Sequence, residues 1–311
     1  MRIEDNQGRV IATLEDWAGL HASKKWQSDW KRHRSMYSLA DFFINLGGTE
    51  TIQSRISTIL GQRVNLENAI PEYVVRYDDH GRGHIHDLAI FGQTDSGKSL
   101  FIGVDARISE PFGKYDVGNA FINAGRKQKS GNSTKATERI KDLISLHCDS
   151  PNLPIFDVRY QLLCATAGTI AADADISILF VIVFKTSHYD KRSGAKNFDD
   201  YLQLVDVLKG KRLSARNKKF TAHELDVSAK KLICAYEYFE TGGKKTKLET
   251  LDQRVLTPNE FKQIVAEMCE VDQDAIAGLT VHQGIHPLMG EILIVSGRKR
   301  DALLMRVSPY K

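Results

Sequence analysis

No run of apolar residues in this chain approaches the roughly 18–20 that a membrane-spanning helix requires, which excludes a helical membrane protein and any membrane partner. The opening MRIEDNQGRV is polar and of mixed charge, without the apolar stretch of a secretory signal, so none is expected. Cysteine is sparse. Cys148, Cys164, Cys234 and Cys269 are scattered without a C-x-x-C pair, which argues against a zinc ribbon and against a secreted disulfide framework. The expected setting is therefore the reducing cytoplasm. A strong charge imbalance is also lacking: 43 Lys and Arg face 39 Asp and Glu, for a net charge of +4. That balance does not by itself mark a nucleic-acid binder. No internal repeat is visible.

What remains is an ordinary globular composition, 42% apolar and 26% charged, over 311 residues. That is enough for one large domain with an appendage. The basic residues cluster locally: Lys209, Lys211 and Arg212 continuing to Arg216, Lys218 and Lys219; then Lys244, Lys245 and Lys247; then Arg298, Lys299 and Arg300. Such runs are usually solvated loops, but together they suit a local contact with a phosphate backbone.

The pattern predicts an α/β chain. Residues 9–17 read as a short strand or arm ending in Trp17. Residues 34–60 read as two helices, the first capped by Ser38, the second starting at Thr49 or Thr51 after the Gly47–Gly48 break. Strands follow at 72–77, 84–91 and 100–109. In the last, Leu100, Ile102, Val104, Ala106 and Ile108 alternate with Phe101, Gly103, Asp105, Arg107 and Ser109. Helices are predicted at 115–128, at 135–147, and from Asp157 as cap to Ala172. The run ISILFVIVF (176–184) is apolar on both faces and reads as a central strand. A helix at 198–208 and a strand at 231–239 complete the main region. From about residue 242 the character changes. Thr257-Pro-Asn-Glu260 is a capping box with proline at the first helical position, and 292–295 with 303–307 read as a hairpin. Domain limits are thus expected at 1–241 and 242–311.

Gly92-Gln-Thr-Asp-Ser-Gly97-Lys98-Ser99 matches the G-x-x-x-x-G-K-[ST] phosphate-loop pattern, which opens the alternative of a P-loop nucleotide-binding protein. A P-loop needs a helix after Ser99. The period-two run that follows predicts a strand, and the segment reads better as a hairpin turn.

That hairpin sets Asp87 and Asp105 on neighbouring strands, with Arg107 on the face of Asp105. Two carboxylates so placed make a site for a hard divalent cation, and a basic group beside them could stabilise phosphoryl charge. The bland readings are a solvated Asp105–Arg107 pair and an Asp87 serving as a local hydrogen-bond acceptor. His84 and His86, at i and i+2, could bind a metal together. If alternation holds they share a face with Leu88 and Ile90, and packing is then their expected role.

With these residues the sequence resembles the PD-(D/E)XK nuclease superfamily, of restriction-endonuclease-like fold, and in particular an uncharacterised bacterial family within it. The likeness runs over about residues 10–240: LEDW with Trp17, SMYSLADFF (35–43), HDLAIF with Asp87, GVDARISEPFG (103–113), RYQLL (159–163), ILFVIVF (178–184) and KLICAYEYF (231–239). It implies a mixed central sheet flanked by helices, with a small C-terminal α+β appendage outside it. It also implies a divalent-metal-dependent nuclease, DNA as substrate, Mg²⁺ or Mn²⁺ as cofactor, and a role in bacterial defence. Carried over by position, Asp87 and Asp105 are the metal ligands and catalytic acids, and Arg107 stands where the family has lysine. Glu110 and Gln161 support the site, with Arg159 and Tyr160 lining it.

The departure at Arg107 leaves three options, because arginine is always charged and cannot act as a base. These are a slower nuclease, a nuclease recruiting Lys98, Lys114 or Lys127, or a catalytically inactive module that binds nucleic acid or a protein. For the appendage, partner recognition and homodimerisation stay open.

Overall fold

The computed structural model describes residues 1–20, 30–31, 34–131, 134–148, 153–213, 221–240, 254–276, 279–286, 290–296 and 302–306. The chain forms two compact units, 1–241 and 242–311.

In the first unit, β1 (Arg2–Ile3) leads to α1 (Leu14–Ala18), α2 (Ser35–Ile44) and α3 (Gly48–Leu60). A meander follows, of β2 (Val64–Val75), β3 (His84–Thr94) and β4 (Ser99–Arg107). Then come α4 (Val117–Lys129), α5 (Ala136–His147), a 3-10 turn (Leu153–Asp157), α6 (Tyr160–Ala171), β5 (Ile176–Phe184) and α7 (Lys191–Val207). The unit closes with β6 (Lys211–Arg212), β7 (Thr221–Val227) and β8 (Lys230–Phe239). Among the described residues these strands build one eight-stranded mixed sheet in the order β1-β2-β3-β4-β5-β8-β7-β6. β4, β5 and β8 run parallel at its centre, with Arg107 opposite Val183. Parallel central strands are covered on both faces, and β5 is buried along nearly its whole length.

Two cores follow from strand alternation. Leu100, Ile102, Val104 and Ala106 of β4 join Ile178, Phe180 and Ile182 of β5, packed against Leu39 and Phe42 of α2 and Ile52 and Ile56 of α3. The opposite residues of β5, Leu179, Val181 and Val183, pack on α4 to α7 through Val117, Ile140, Leu162 and Tyr201. The expected α/β architecture, a mixed sheet flanked by helices, is the one observed.

Several local expectations need correction. Residues 9–17 are not an extended arm: Val10 bridges to Glu4, and a Thr13–Asp16 capping box then starts α1, burying Trp17. Ser38 does not cap α2, which begins at Ser35 and buries Ser38 in its first turn. The next helix starts at Gly48, one residue before Thr49, behind a left-handed Gly47 (φ 69°). Asp157 ends the 3-10 turn instead of capping α6, whose N-cap is Arg159. The helix expected at 198–208 starts at Lys191, where Asp190 accepts the Ser193 N–H. β2 begins at Val64, eight residues before the expected strand, and β7 was not expected at all.

The second unit, by itself, is a five-stranded antiparallel sheet with one helix, α8 (Pro258–Glu267), among the described residues. Its strands are β9 (Arg254–Leu256), β10 (Cys269–Ile276), β11 (Leu279–His286), β12 (Gly290–Ser296) and β13 (Ala302–Arg306). Thr257 and Glu260 form the expected capping box with Pro258 at the first position, and β12 pairs with β13 as the expected hairpin. Leu256, Met268, Ile292 and Ile294 make its core.

Candidate metal centre

The hairpin of β3 and β4 builds the site. Its turn is Asp95-Ser96-Gly97, closed by the Gly97 N–H on the Thr94 carbonyl, with Gly97 left-handed at φ 77°. Ser99 opens a strand, not a helix. The phosphate-loop pattern is therefore a hairpin turn, without the helix N-terminus that cradles phosphates.

From the turn the strands run side by side to Leu88 opposite Val104. There the alternation of β3 breaks. Leu88 and Ile90 join the core beneath α2 and α3. His84 and His86 do not follow them: the His86 ring packs on Phe101, and a Cβ on Gly103 would lie 2.6 Å from His86 Nδ1. Both histidines therefore lie on the face of Phe101, Gly103 and Asp105. The break falls at Asp87, opposite Glu72 of β2, which is itself left-handed at φ 49°. The packing role beside Leu88 and Ile90 is thus overturned.

As a result Asp105 meets both histidines. His84 Nε2 lies 3.4 Å and His86 Nδ1 3.7 Å from Asp105 Oδ1. His84, His86 and Asp105 are buried, and one ligand atom from each lies within 4.8 Å of the others. This group could hold a metal ion. Asp87 is not part of it. Its Oδ2 accepts the Ala106 N–H at 2.7 Å and faces Arg107 Nη1 at 3.5 Å. Arg107 Nη2 also donates to Asp105 Oδ2 at 3.4 Å, and its Nη1 to the Ala106 carbonyl at 2.7 Å. The guanidinium lies over the Phe112 ring, 5.0 Å from its centre.

The electrostatics separate the two acids. For Asp105, burial alone would raise the carboxyl, but the close imidazoles of His84 and His86 and the charge of Arg107 outweigh it and hold it well below the usual carboxylate range. For Asp87, burial dominates and the Asp105 charge adds to it, so the carboxyl is pushed up to about 6 against the pull of Arg107. For His86, burial is the largest influence and lowers the ring below its ordinary value, with Asp105 opposing.

The other expected residues divide. Glu110 turns its Oε2 back onto the Ile108 and Ser109 N–H groups, at 2.6 and 3.0 Å. It lines a cleft of about 260 Å³ with Arg34, Ile108, Ser109 and His188, at the end of β4. Gln161 lies against the EPFG loop, its Oε1 3.2 Å from where a Gly113 Cβ would be. Among the described residues no hydrogen bond joins it to Asp87 or Asp105. Arg159 does not line the site, being committed to Asp200 of α7 at 2.8 Å. Tyr160 interacts instead with Cys164 and Arg139.

Of the lysines considered, Lys98 precedes β4, about 30 Å from Arg107 at the usual strand rise. Lys114 lies over the Tyr115 ring and Lys127 is exposed on α4. A fourth went unnoticed: Lys185, two residues beyond the Val183 that pairs with Arg107, leaves the sheet at the same end and on the same face. It rests over Tyr238, 4.6 Å from the ring centre. Its signal was its position at the end of the central strand. Of the basic clusters, Lys209, Lys211 and Arg212 are exposed; positions 216, 218, 219, 244, 245, 247 and 298–300 lie outside the described residues. No described helix is long and apolar enough to cross a membrane.

No curated protein and no solved structure matches the chain. A family model does, over residues 10–236, most of the first unit, and its description assigns no activity. By that match the chain belongs to the family described as a domain of unknown function, DUF6946.

Proposed function

We propose that the chain is a divalent-metal-dependent nuclease that hydrolyses phosphodiester bonds in DNA, with a restriction-endonuclease-like core. One observation carries the reading: Asp87, Asp105 and Arg107, from two adjacent strands, converge within 3.5 Å at one end of the sheet. The cleft containing Arg34, Glu110 and His188 opens where β4 ends. A Mg²⁺ or Mn²⁺ ion held by Asp87 and Asp105 would acidify a water and neutralise phosphate charge. Arg107, charged at any working pH, would turn from the two carboxylates to the scissile phosphate and stabilise its developing charge. It cannot take a proton from water, so that duty falls to another group, and Lys185 is the lysine on the same strand end. Glu110 braces the end of β4 through its hold on two backbone N–H groups.

The test is a cleavage assay of the full chain on plasmid and linear DNA in Mg²⁺, Mn²⁺ and EDTA, beside Asp105→Ala. Metal-dependent cutting that vanishes in the variant is expected. A second reading has its own observation. Arg107 already pairs with both acids, so part of the cluster's negative charge is balanced by the chain itself, as a silent nucleic-acid- or protein-binding module would have it. DNA binding that survives in Asp87→Ala, with no cutting by wild type in either metal, would establish that reading instead.

A further inference from the structure

We infer that His84, His86 and Asp105 form a site for one first-row transition cation of the Zn²⁺, Co²⁺ or Mn²⁺ class, on the far oxygen of Asp105 from Arg107. The site goes beyond the nuclease reading and stands whether or not the chain cuts DNA.

Three observations carry it. First, both ring nitrogens of His86 lack a hydrogen-bond partner, although the residue is fully buried at 0% exposure. Leaving such groups unsatisfied in the interior is costly. A metal on one nitrogen removes half of that cost. Second, the separations of 3.4 and 3.7 Å from Asp105 Oδ1 to the two histidine nitrogens are long for hydrogen bonds. They suit the edges of a coordination shell, since ligand atoms about 2.1 Å from a tetrahedral ion sit about 3.4 Å apart. Third, the chain makes room for this geometry with absent side chains. Gly103 admits the His86 ring, and Gly168 of α6 admits His84, whose Cβ would be 2.8 Å from any Cβ there. Two imidazoles and one carboxylate are the donors that zinc and its neighbours accept, whereas Mg²⁺ prefers all-oxygen shells. Arg107 holds Oδ2 of Asp105 and so directs Oδ1 toward the histidines, in the manner of an outer-shell partner. Once Arg107 turns to the scissile phosphate, Oδ2 and Asp87 are left for the Mg²⁺ of the proposed reaction.

The experiment uses the full chain, stripped with EDTA and titrated with Co²⁺ alone, then Zn²⁺ alone. The readouts are calorimetry and the visible spectrum of Co²⁺. One equivalent per chain is expected, with the intense bands of a low-coordinate cobalt, displaced by Zn²⁺ and left intact by millimolar Mg²⁺. His86→Gln and His84→Gln, each verified as folded by circular dichroism, should weaken Co²⁺ binding at least about 100-fold, more than the loss of an outer-shell partner alone causes. Should either variant fail to fold, the wild-type spectrum decides alone. No stoichiometric binding, a hexa-aquo-like cobalt spectrum, displacement by Mg²⁺, or unchanged binding in a folded variant would each overturn the site. Because none of these readouts needs DNA, a failed cleavage assay leaves them unaffected.

Discussion

The imidazole of His86 occupies the space that a side chain on residue 103 would fill, with Nδ1 2.6 Å from the position of a Gly103 Cβ. A side chain at residue 103 therefore requires the ring to move. Gly103 sits mid-strand on β4, where glycine is otherwise unfavourable, so the ring above it accounts for its presence. Gly103→Ala forces a fully buried ring to move in a packed interior. We expect a loss of about 1–3 kcal/mol, the usual cost of overpacking, measured as a lower urea midpoint with an unchanged slope. The same variant should weaken Co²⁺ binding, because the ring is displaced from Asp105. A midpoint equal to that of wild type would mean that His86 has another place to go.

Arg107 and Lys185 allow a coupled test of the proposed chemistry. Arg107→Lys keeps the charge but provides a group able to lose a proton when desolvated. In the wild-type background Lys185→Ala should lower the cleavage rate about 100-fold, the scale of one general acid–base group. In the Arg107→Lys background the same change should matter less than tenfold, since the new lysine takes over the proton. Equal effects in the two backgrounds, read as a double-mutant cycle, would remove Lys185 from the reaction.

How much of this was readable beforehand differs by element, for physical reasons. β4 and β5 were legible because uninterrupted alternation and an all-apolar run leave few alternatives. The hairpin turn followed from Gly97 and the strand pattern after it. β7, Thr221-Ala-His-Glu-Leu-Asp-Val, was missed because four of its seven residues are polar and break the apolar pattern of a strand buried between β8 and β6. The start of α7 was hidden for a similar reason, since Lys191-Arg-Ser-Gly-Ala-Lys carries no apolar stripe. At the site, Asp87, Asp105 and Arg107 were placed together by simple pairing of the two strands. The histidines were misplaced by that same rule. Period two assigns them to the face of Leu88, and only the break at Asp87, opposite the left-handed Glu72, turns them toward Asp105. A break of that kind has no signature in His84-Ile-His-Asp-Leu-Ala itself.

Glu237 of β8 is buried, and Arg55 of α3 reaches it at 2.8 Å. Burial pushes its carboxyl up to about 7, with Arg55 opposing. A raised folded-state value means that the folded protein holds this proton more tightly than the unfolded chain. The associated stability is fully present below pH 4.5 and disappears as the pH rises through 7. Between pH 5 and pH 8 the contribution lost is about 2 kcal/mol. Glu237→Gln should abolish that slope, and by urea denaturation at pH 8 it should be at least as stable as wild type. An identical difference between pH 5 and pH 8 in both proteins would show that the Glu237 proton is not held.

His147 predicts the opposite slope on the acid side. Its ring is buried at the end of α5, with Nδ1 2.7 Å from the Leu143 carbonyl and Nε2 2.6 Å from Thr166 Oγ1 of α6. Burial lowers its value to about 4, with the Leu143 contact opposing. The unfolded chain, at 6.5, takes up the proton first. The stability it contributes is therefore complete above pH 6.5 and is lost as the pH falls through 4, by about 2 kcal/mol at pH 5. His147→Gln keeps a polar group against α6 but has no proton to gain. Measured against its own value at pH 7.5, the variant should lose about 2 kcal/mol less than wild type on moving to pH 5. Because Glu237 gains stability over the same interval, the two contributions oppose each other in the wild-type curve. Relative to wild type, each single variant should tilt in its own direction: His147→Gln more stable toward acid, Glu237→Gln less. Parallel curves for the two single variants would contradict both assignments together.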